Sequence, residues 1–251
     1  MIGQEKLFTE IDNLITSGFP HSVILTGDHE AGQLDVCKYI ASKLNADLID
    51  ITDRVTLDTV NQMYLNPNVS LYVANLSELS EKEQNILLKV FEEPNVLTYI
   101  VLFRDTGSEI LDTLVNRGRA LKMDDYSLDV LRKYTNNELI LSLCTTPKQI
   151  EIAAHTNIEA LFKLCETIIT KMKVANFDNA LTISNKINFS DEYNKFDLYL
   201  FYKVLAKKSL ELNSVITYEY LSNMMKYIYL IKDKKSYFEH FIISLWKASR
   251  K

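Results

Sequence analysis

Apolar residues recur along this chain with two different periods, and the change falls near Asp125. Before it, short apolar runs alternate with segments of helical spacing. Leu7, Ile11, Leu14 and Ile15 lie three and four residues apart and predict an amphipathic opening helix. Runs rich in β-branched and other apolar residues follow at 22–26, 47–51, 69–74, 99–103 and 120–123. Short runs of this kind read as parallel strands buried on both faces. Helical segments are predicted between them near 33–44, 56–64 and 80–92. Strands alternating with helices build βαβ crossovers, so the expected fold is α/β: a five-stranded parallel sheet with helices on both faces.

After residue 125 the strand signal stops. Short helices are expected at 128–134, 137–144 and 148–154, with Thr145-Thr146-Pro147 as a helix break and restart. Three apolar stripes of helical spacing follow: Leu198, Phe201, Tyr202 and Leu205; Leu221, Met224, Met225 and Ile228; and Phe238, Phe241, Ile242 and Leu245. Such stripes form a helical core or a subunit interface far more often than a cofactor site. With only 6 Gly and 4 Pro in 251 residues, long flexible linkers are not expected. The expected division is 1–124, an α/β domain, then all-helical parts over 125–165 and 166–251.

Composition narrows the class. A hydrophobic content of 47% with 24% charged residues is ordinary for a globular protein. No apolar run approaches the ~20 residues needed to cross a bilayer, which argues against a membrane protein. Cys37, Cys144 and Cys165 are widely spaced and form no C-x-x-C pair, so neither a zinc module nor a disulfide framework is expected, and a reducing cytoplasm fits. His21, His29, His155 and His240 are scattered and read as structural or solvent-facing. The net charge of −5 argues against a free-standing DNA binder. It is unevenly spread: after Cys165 there are 14 Lys and Arg against 9 Asp and Glu, and before it 14 against 24. The simplest reading of the basic half is solvated helix faces. A contact with an acidic partner is the alternative.

Candidate chemistry lies in Gly27-Asp-His-Glu-Ala-Gly32-Gln33-Leu34, between an apolar strand and a helical stretch. This is the setting and glycine spacing of a phosphate-binding loop, where backbone N–H groups at a helix N-terminus cradle phosphate. The motif continues with Lys and then Ser or Thr. The Lys puts a cation on the terminal phosphates and the hydroxyl ligates magnesium. Gln33 carries no charge and Leu34 no oxygen.

The segment Gln84-Asn85-Ile-Leu87-Leu88-Lys89-Val-Phe91-Glu92-Glu93-Pro94 resembles the "QNALLKxLEEP" block of clamp-loader subunits of the AAA+ class. Further on, Ile110-Leu111-Asp112-Thr113-Leu114-Val115-Asn116-Arg117-Gly118-Arg119 resembles their "ILxTIxSRCQ" block, and Ile2-Gly-Gln-Glu-Lys-Leu7 their usual start. The resemblance spans residues 1 to about 123. The helical remainder fits a lid and a collar only in size and class. Aligned from Asn85, the acidic pair of an active member falls on Ala74 and Asn75. Aspartate there would hold magnesium and glutamate would polarise water; alanine and asparagine do neither. Arg117 keeps the central position of the family's Ser-Arg-Cys motif, whose arginine reaches into the neighbouring subunit's ATP site. The alternative for Arg117 and Arg119 is a surface or sheet-capping pair. Arg104 falls near the family's γ-phosphate sensor and is read as structural, as are Glu92, Glu93 and Pro94, a helix end and stop. The family's four-Cys zinc module is absent.

An altered site beside a kept arginine is the pattern of the delta-prime type of bacterial clamp-loader subunit. The resemblance implies a non-catalytic member of a hetero-oligomeric ring. Its partners would be ATP-hydrolysing subunits, the sliding clamp, and primed DNA reached through the complex, with no bound cofactor or metal and no membrane. The alternative is a phage-encoded mimic that inhibits or redirects a host replication complex.

Overall fold

Five parallel strands form one sheet: β1 (Ser22–Gly27), β2 (Asp47–Asp50), β3 (Ser70–Asn75), β4 (Thr98–Asp105) and β5 (Arg119–Lys122), in the order β2-β3-β4-β1-β5. The structure is a computed structural model and describes residues 2–108, 110–172, 182, 197–212, 221 and 233–248. It divides into two compact units, Met1–Leu131 with Thr145–Lys148, and Arg132–Cys144 with Gln149–Lys251.

In the first unit β1, β3 and β4 are apolar on both alternations because both faces are covered, whereas the edge strands β2 and β5 are not buried on both faces as expected, with Asp47, Asp50, Arg119 and Lys122 exposed. Val23, Leu25, Leu71, Val73 and Val101 point to one side, where they meet Leu7 and Ile11 of α1 (Glu5–Ser17) and Val36, Cys37 and Ile40 of α2 (Gln33–Leu44). Ile24, Tyr72, Ala74, Ile100 and Leu102 point to the other, against Val60 and Met63 of α3 (Leu57–Leu65) and Leu87, Val90 and Phe91 of α4 (Glu81–Glu92). Residues of β1 alternate between the two cores, as the two-residue period of a strand requires. This is the predicted five-stranded parallel sheet.

The helices start where the chain offers oxygen acceptors. Thr56 caps α3 by accepting from the Thr59 N–H. Ser80 and Glu83 form a reciprocal capping box at α4. At α2 the residue before the helix is Gly32, with φ 97°, a left-handed backbone that glycine adopts without strain. A single helical turn, α5 (Asp112–Val115), lies between β4 and β5. The sequence does not announce it, because four residues are too few to show a helical period.

The later helices α6 (Leu128–Leu131) and α7 (Glu138–Leu141) are shorter than 128–134 and 137–144. Asn137 starts the second of them where expected, its side chain accepting from the N–H groups of Leu139 and Ile140. The next helix, α8 (Pro147–Ala154), begins at the expected proline. In the second unit α9 (Ile158–Met172) packs along α10 (Leu198–Glu211), and α11 (Lys234–Ala248) completes the described helices. Leu198, Phe201, Tyr202 and Leu205 are buried, as are Phe238, Phe241, Ile242 and Leu245. Edge-on ring contacts join the two stripes, with Phe201 5.2 Å from Phe238 and Tyr202 5.1 Å from Phe241. In the third stripe Leu221 is buried, and Met224, Met225 and Ile228 lie outside the described residues. No helix among the described residues is long and apolar enough to cross a membrane.

Candidate functional site

The C-terminal ends of β1, β3 and β4 converge on the loop that joins β1 to α2, the place where open α/β sheets bind ligands. Gly27 ends β1, and its carbonyl accepts from Thr106 N–H at 2.6 Å and from the Thr106 hydroxyl at 2.9 Å. Gln33, where the sequence resemblance expects a phosphate-binding lysine, is buried. Its Nε2 donates to Asp28 O at 2.8 Å and to Asp105 Oδ1 at 3.3 Å. The other Asp105 oxygen lies 3.0 Å from His29 Nδ1. The amide therefore bonds back to its own loop and to a buried carboxylate at the end of β4. Leu34 is partly exposed on the first turn of α2.

Further contacts hold the same loop from outside. The Thr145 hydroxyl donates to Asp28 Oδ2, and the Tyr126 hydroxyl to Ala31 O at 2.8 Å. Thr146 is fully buried, with its hydroxyl 3.5 Å from His29 O. At the family's expected start, buried Gln4 bonds Asp124 twice, Nε2 to the carbonyl at 2.7 Å and Oε1 from the N–H at 2.9 Å.

At the end of β3, Ala74 is wholly buried in the core beneath α4. Asn75 donates from Nδ2 to Glu78 Oε1 at 2.6 Å and accepts from Ser77 N–H at 3.1 Å. Desolvation pushes the Glu78 carboxyl above its ordinary range, with Asp53, Asp105 and Asp50 adding like-charge repulsion that the Asn75 amide only partly offsets. Ser77 also accepts from Asp105 N–H at 3.0 Å, tying the ends of β3 and β4 together. Arg104 turns inward and donates from Nε to Thr26 Oγ1 at 3.1 Å.

Residue 33 is thus an internally bonded amide, residue 34 a leucine, and the end of β3 holds a core alanine and an asparagine. The cysteines offer no nucleophile. All three are buried and burial raises each thiol, Cys144 to about 11.

Arg117 lies in the turn after α5, away from this loop in sequence and partly exposed. Its Nε is 3.2 Å from Glu92 Oε2, and Nη1 donates to Thr113 O at 2.8 Å. Arg119 pairs instead with Glu10 on the surface, at 3.1 Å.

Residues 53–127, which run from the turn before α3 to just past β5, match the family model described as DNA polymerase III, delta subunit. The fold is similar to that of a DNA polymerase III gamma subunit-related protein of Thermotoga maritima, with a TM-score of 0.54 at 13% identity, covering 97% of this chain and 99% of that one. The chain shares the α/β fold of that protein. A point mutant of RuvB from Thermotoga maritima is similar in fold as well, with a TM-score of 0.52 at 17% identity, covering 85% of this chain and 78% of that one. No curated protein matches the sequence.

Several residues around this loop carry no signal in the sequence. Asp105 is one, since a strand-end aspartate is unremarkable until its partners are known. His29, read as structural or solvent-facing, is a half-buried partner of Asp105. Thr145 and Thr146 are recognisable only as a helix break. Glu92 reads as a helix end, and its pairing with Arg117 joins two motif blocks that are far apart in sequence.

Proposed function

We propose that this chain is a non-catalytic clamp-loader subunit, a delta-prime-like stator that assembles with ATP-hydrolysing subunits to load the sliding clamp onto primed DNA. The observation that carries this reading is Gln33: at the position where a working site needs a lysine, a buried amide bonds to Asp28 and Asp105 of its own chain. Ala74, Asn75 and Leu34 point the same way, since none can ligate magnesium as an anion or activate water. Arg117 would supply the chemistry the chain offers to others. An arginine finger neutralises charge on the phosphoryl group in transfer, and its planar, always-charged fork suits that task. In this reading 1–124 is the altered AAA+ domain, 125–165 the lid and 166–251 the collar that joins neighbours in a cytoplasmic ring.

The test is to purify the full chain from its native cells with whatever it binds and to assay clamp loading. The expected partner carries an intact G-x4-G-K-[ST] loop, and adding this chain raises loading on primed DNA. If it lowers loading by a complete loader, it is a mimic that blocks replication and the stator reading fails.

A further inference from the structure

The two sequence blocks that carry the clamp-loader resemblance meet in space at the end of α4. Phe91 and Glu92 close that helix, and Arg117 and Gly118 lie in the turn between α5 and β5. A Cβ on Gly118 would fall 2.6 Å from Phe91 Cζ, 2.9 Å from its Cε1 and 3.1 Å from Ile24 Cγ1. The buried ring therefore lies directly on the backbone of the turn, and glycine is needed for that close approach. Beside this packing, Glu92 Oε2 reaches Arg117 Nε at 3.2 Å, while Arg117 Nη1 holds Thr113 O one turn back. Two of the three guanidinium nitrogens are thus fixed by two different elements. Among the described residues Nη2 makes no hydrogen bond.

The placement of Glu92 runs against the electrostatics of its own helix. It is the last residue of α4, at the negative end of the helix dipole, with a second acid, Glu93, next in the chain. An anion there weakens a helix. The favourable charges of α4 are elsewhere, in Glu81 and Glu83 of the first turn and Lys89 of the last. The favourable contact of Glu92 is with Arg117.

We propose that Glu92 is a positioning residue for Arg117, holding its guanidinium through Nε so that Nη2 stays available for an anionic oxygen of the neighbouring subunit's nucleotide. This rests on the reading of Arg117 as a finger that acts in trans. Both side chains are well exposed, 36% for Arg117 and 53% for Glu92, so the pair adds little to stability. Its effect is on orientation. A long side chain already held in one geometry loses less rotamer freedom when the phosphoryl group arrives.

The test uses the full chain assembled with its ATP-hydrolysing neighbour, comparing Glu92→Ala, Glu92→Gln and Arg117→Ala. Glu92→Ala should lower kcat about two- to fivefold with KM for ATP unchanged. Glu92→Gln should recover most of the loss, because its amide oxygen still accepts from Nε. Neither should lower the melting temperature of the isolated chain, since both remove a charge from the unfavourable helix end. A Glu92→Ala complex with the wild-type kcat, beside a slow Arg117→Ala complex, overturns the positioning role and leaves the finger standing. Lower melting temperatures for both Glu92 variants without rescue by glutamine would make the pair structural and also overturn it. If Arg117→Ala itself hydrolyses ATP normally, the finger reading has failed, and the proposal falls with it.

Discussion

Replacing Arg117 with alanine should cut ATP hydrolysis by the assembled complex at least ~10-fold, at the cautious end of the range seen for arginine fingers. The expectation follows from what the chain keeps and what it lacks. At the loop after β1, Gln33 is a buried amide bonded to Asp28 and Asp105 of its own chain. On the turn after α5 it keeps an arginine whose Nε and Nη1 are fixed by Glu92 and Thr113. Alanine removes the charge without touching a core residue, because Arg117 is partly exposed and its ion pair is of the weak surface kind. Assembly should therefore be unchanged, and stability should change by no more than ~0.5 kcal/mol, as for an ordinary surface substitution. Steady-state ATPase assays of wild-type and variant complexes, matched for subunit content by gel filtration, provide the measurement. Equal rates would remove Arg117 from the mechanism.

The largest effect on stability is expected at Phe91. The ring is 1% exposed and belongs to the core between the sheet and helices α3 and α4. Truncation to alanine should destabilise the first unit by about 3–5 kcal/mol, from lost transfer free energy and the cavity left behind. In a chain of this size that corresponds to a melting temperature lower by roughly 6–20 °C. The position also bears on function. With the ring gone, the turn at Gly118 loses the surface it rests on, so any folded variant should have a less well-placed Arg117 and a slower complex than Glu92→Ala. Thermal melting followed by circular dichroism checks the first part. A loss below about 1 kcal/mol would mean that the turn and α4 collapse onto each other, and that the Phe91–Gly118 contact does not set the position of the turn.

Local chemistry explains which parts of this architecture were legible in the sequence. The sheet could be read because β1, β3 and β4 are apolar on both alternations and the helices between them keep a three-and-four spacing. The bounds of α2, 33–44, match residue for residue, since Gly32 and Asn45 both take left-handed backbones that end a helix cleanly. The segments after Asp125 were less clear: α6 and α7 are single turns, too short for an apolar stripe to mark their ends. At the candidate site, the residue types at 33, 34, 74 and 75 could be read because a motif fixes what each position should hold. The network around them could not. Asp105, Ser77, Tyr126 and Thr145 reach the loop or the strand ends beside it from positions 28 to 117 residues away from their partners. No local pattern marks a residue whose role is to bond across such a distance. The same holds for Glu92 and Arg117, each visible in its own motif and connected only by folding.

Calorimetric titration of the isolated full-length chain with magnesium-ATP tests the proposal that this chain does not itself use nucleotide. No saturable heat is expected up to about 1 mM nucleotide, a concentration at which even a weak site of roughly −4 kcal/mol would begin to fill. Saturable binding of magnesium-ATP tighter than about 100 μM, reduced by a substitution at Gln33, would contradict it.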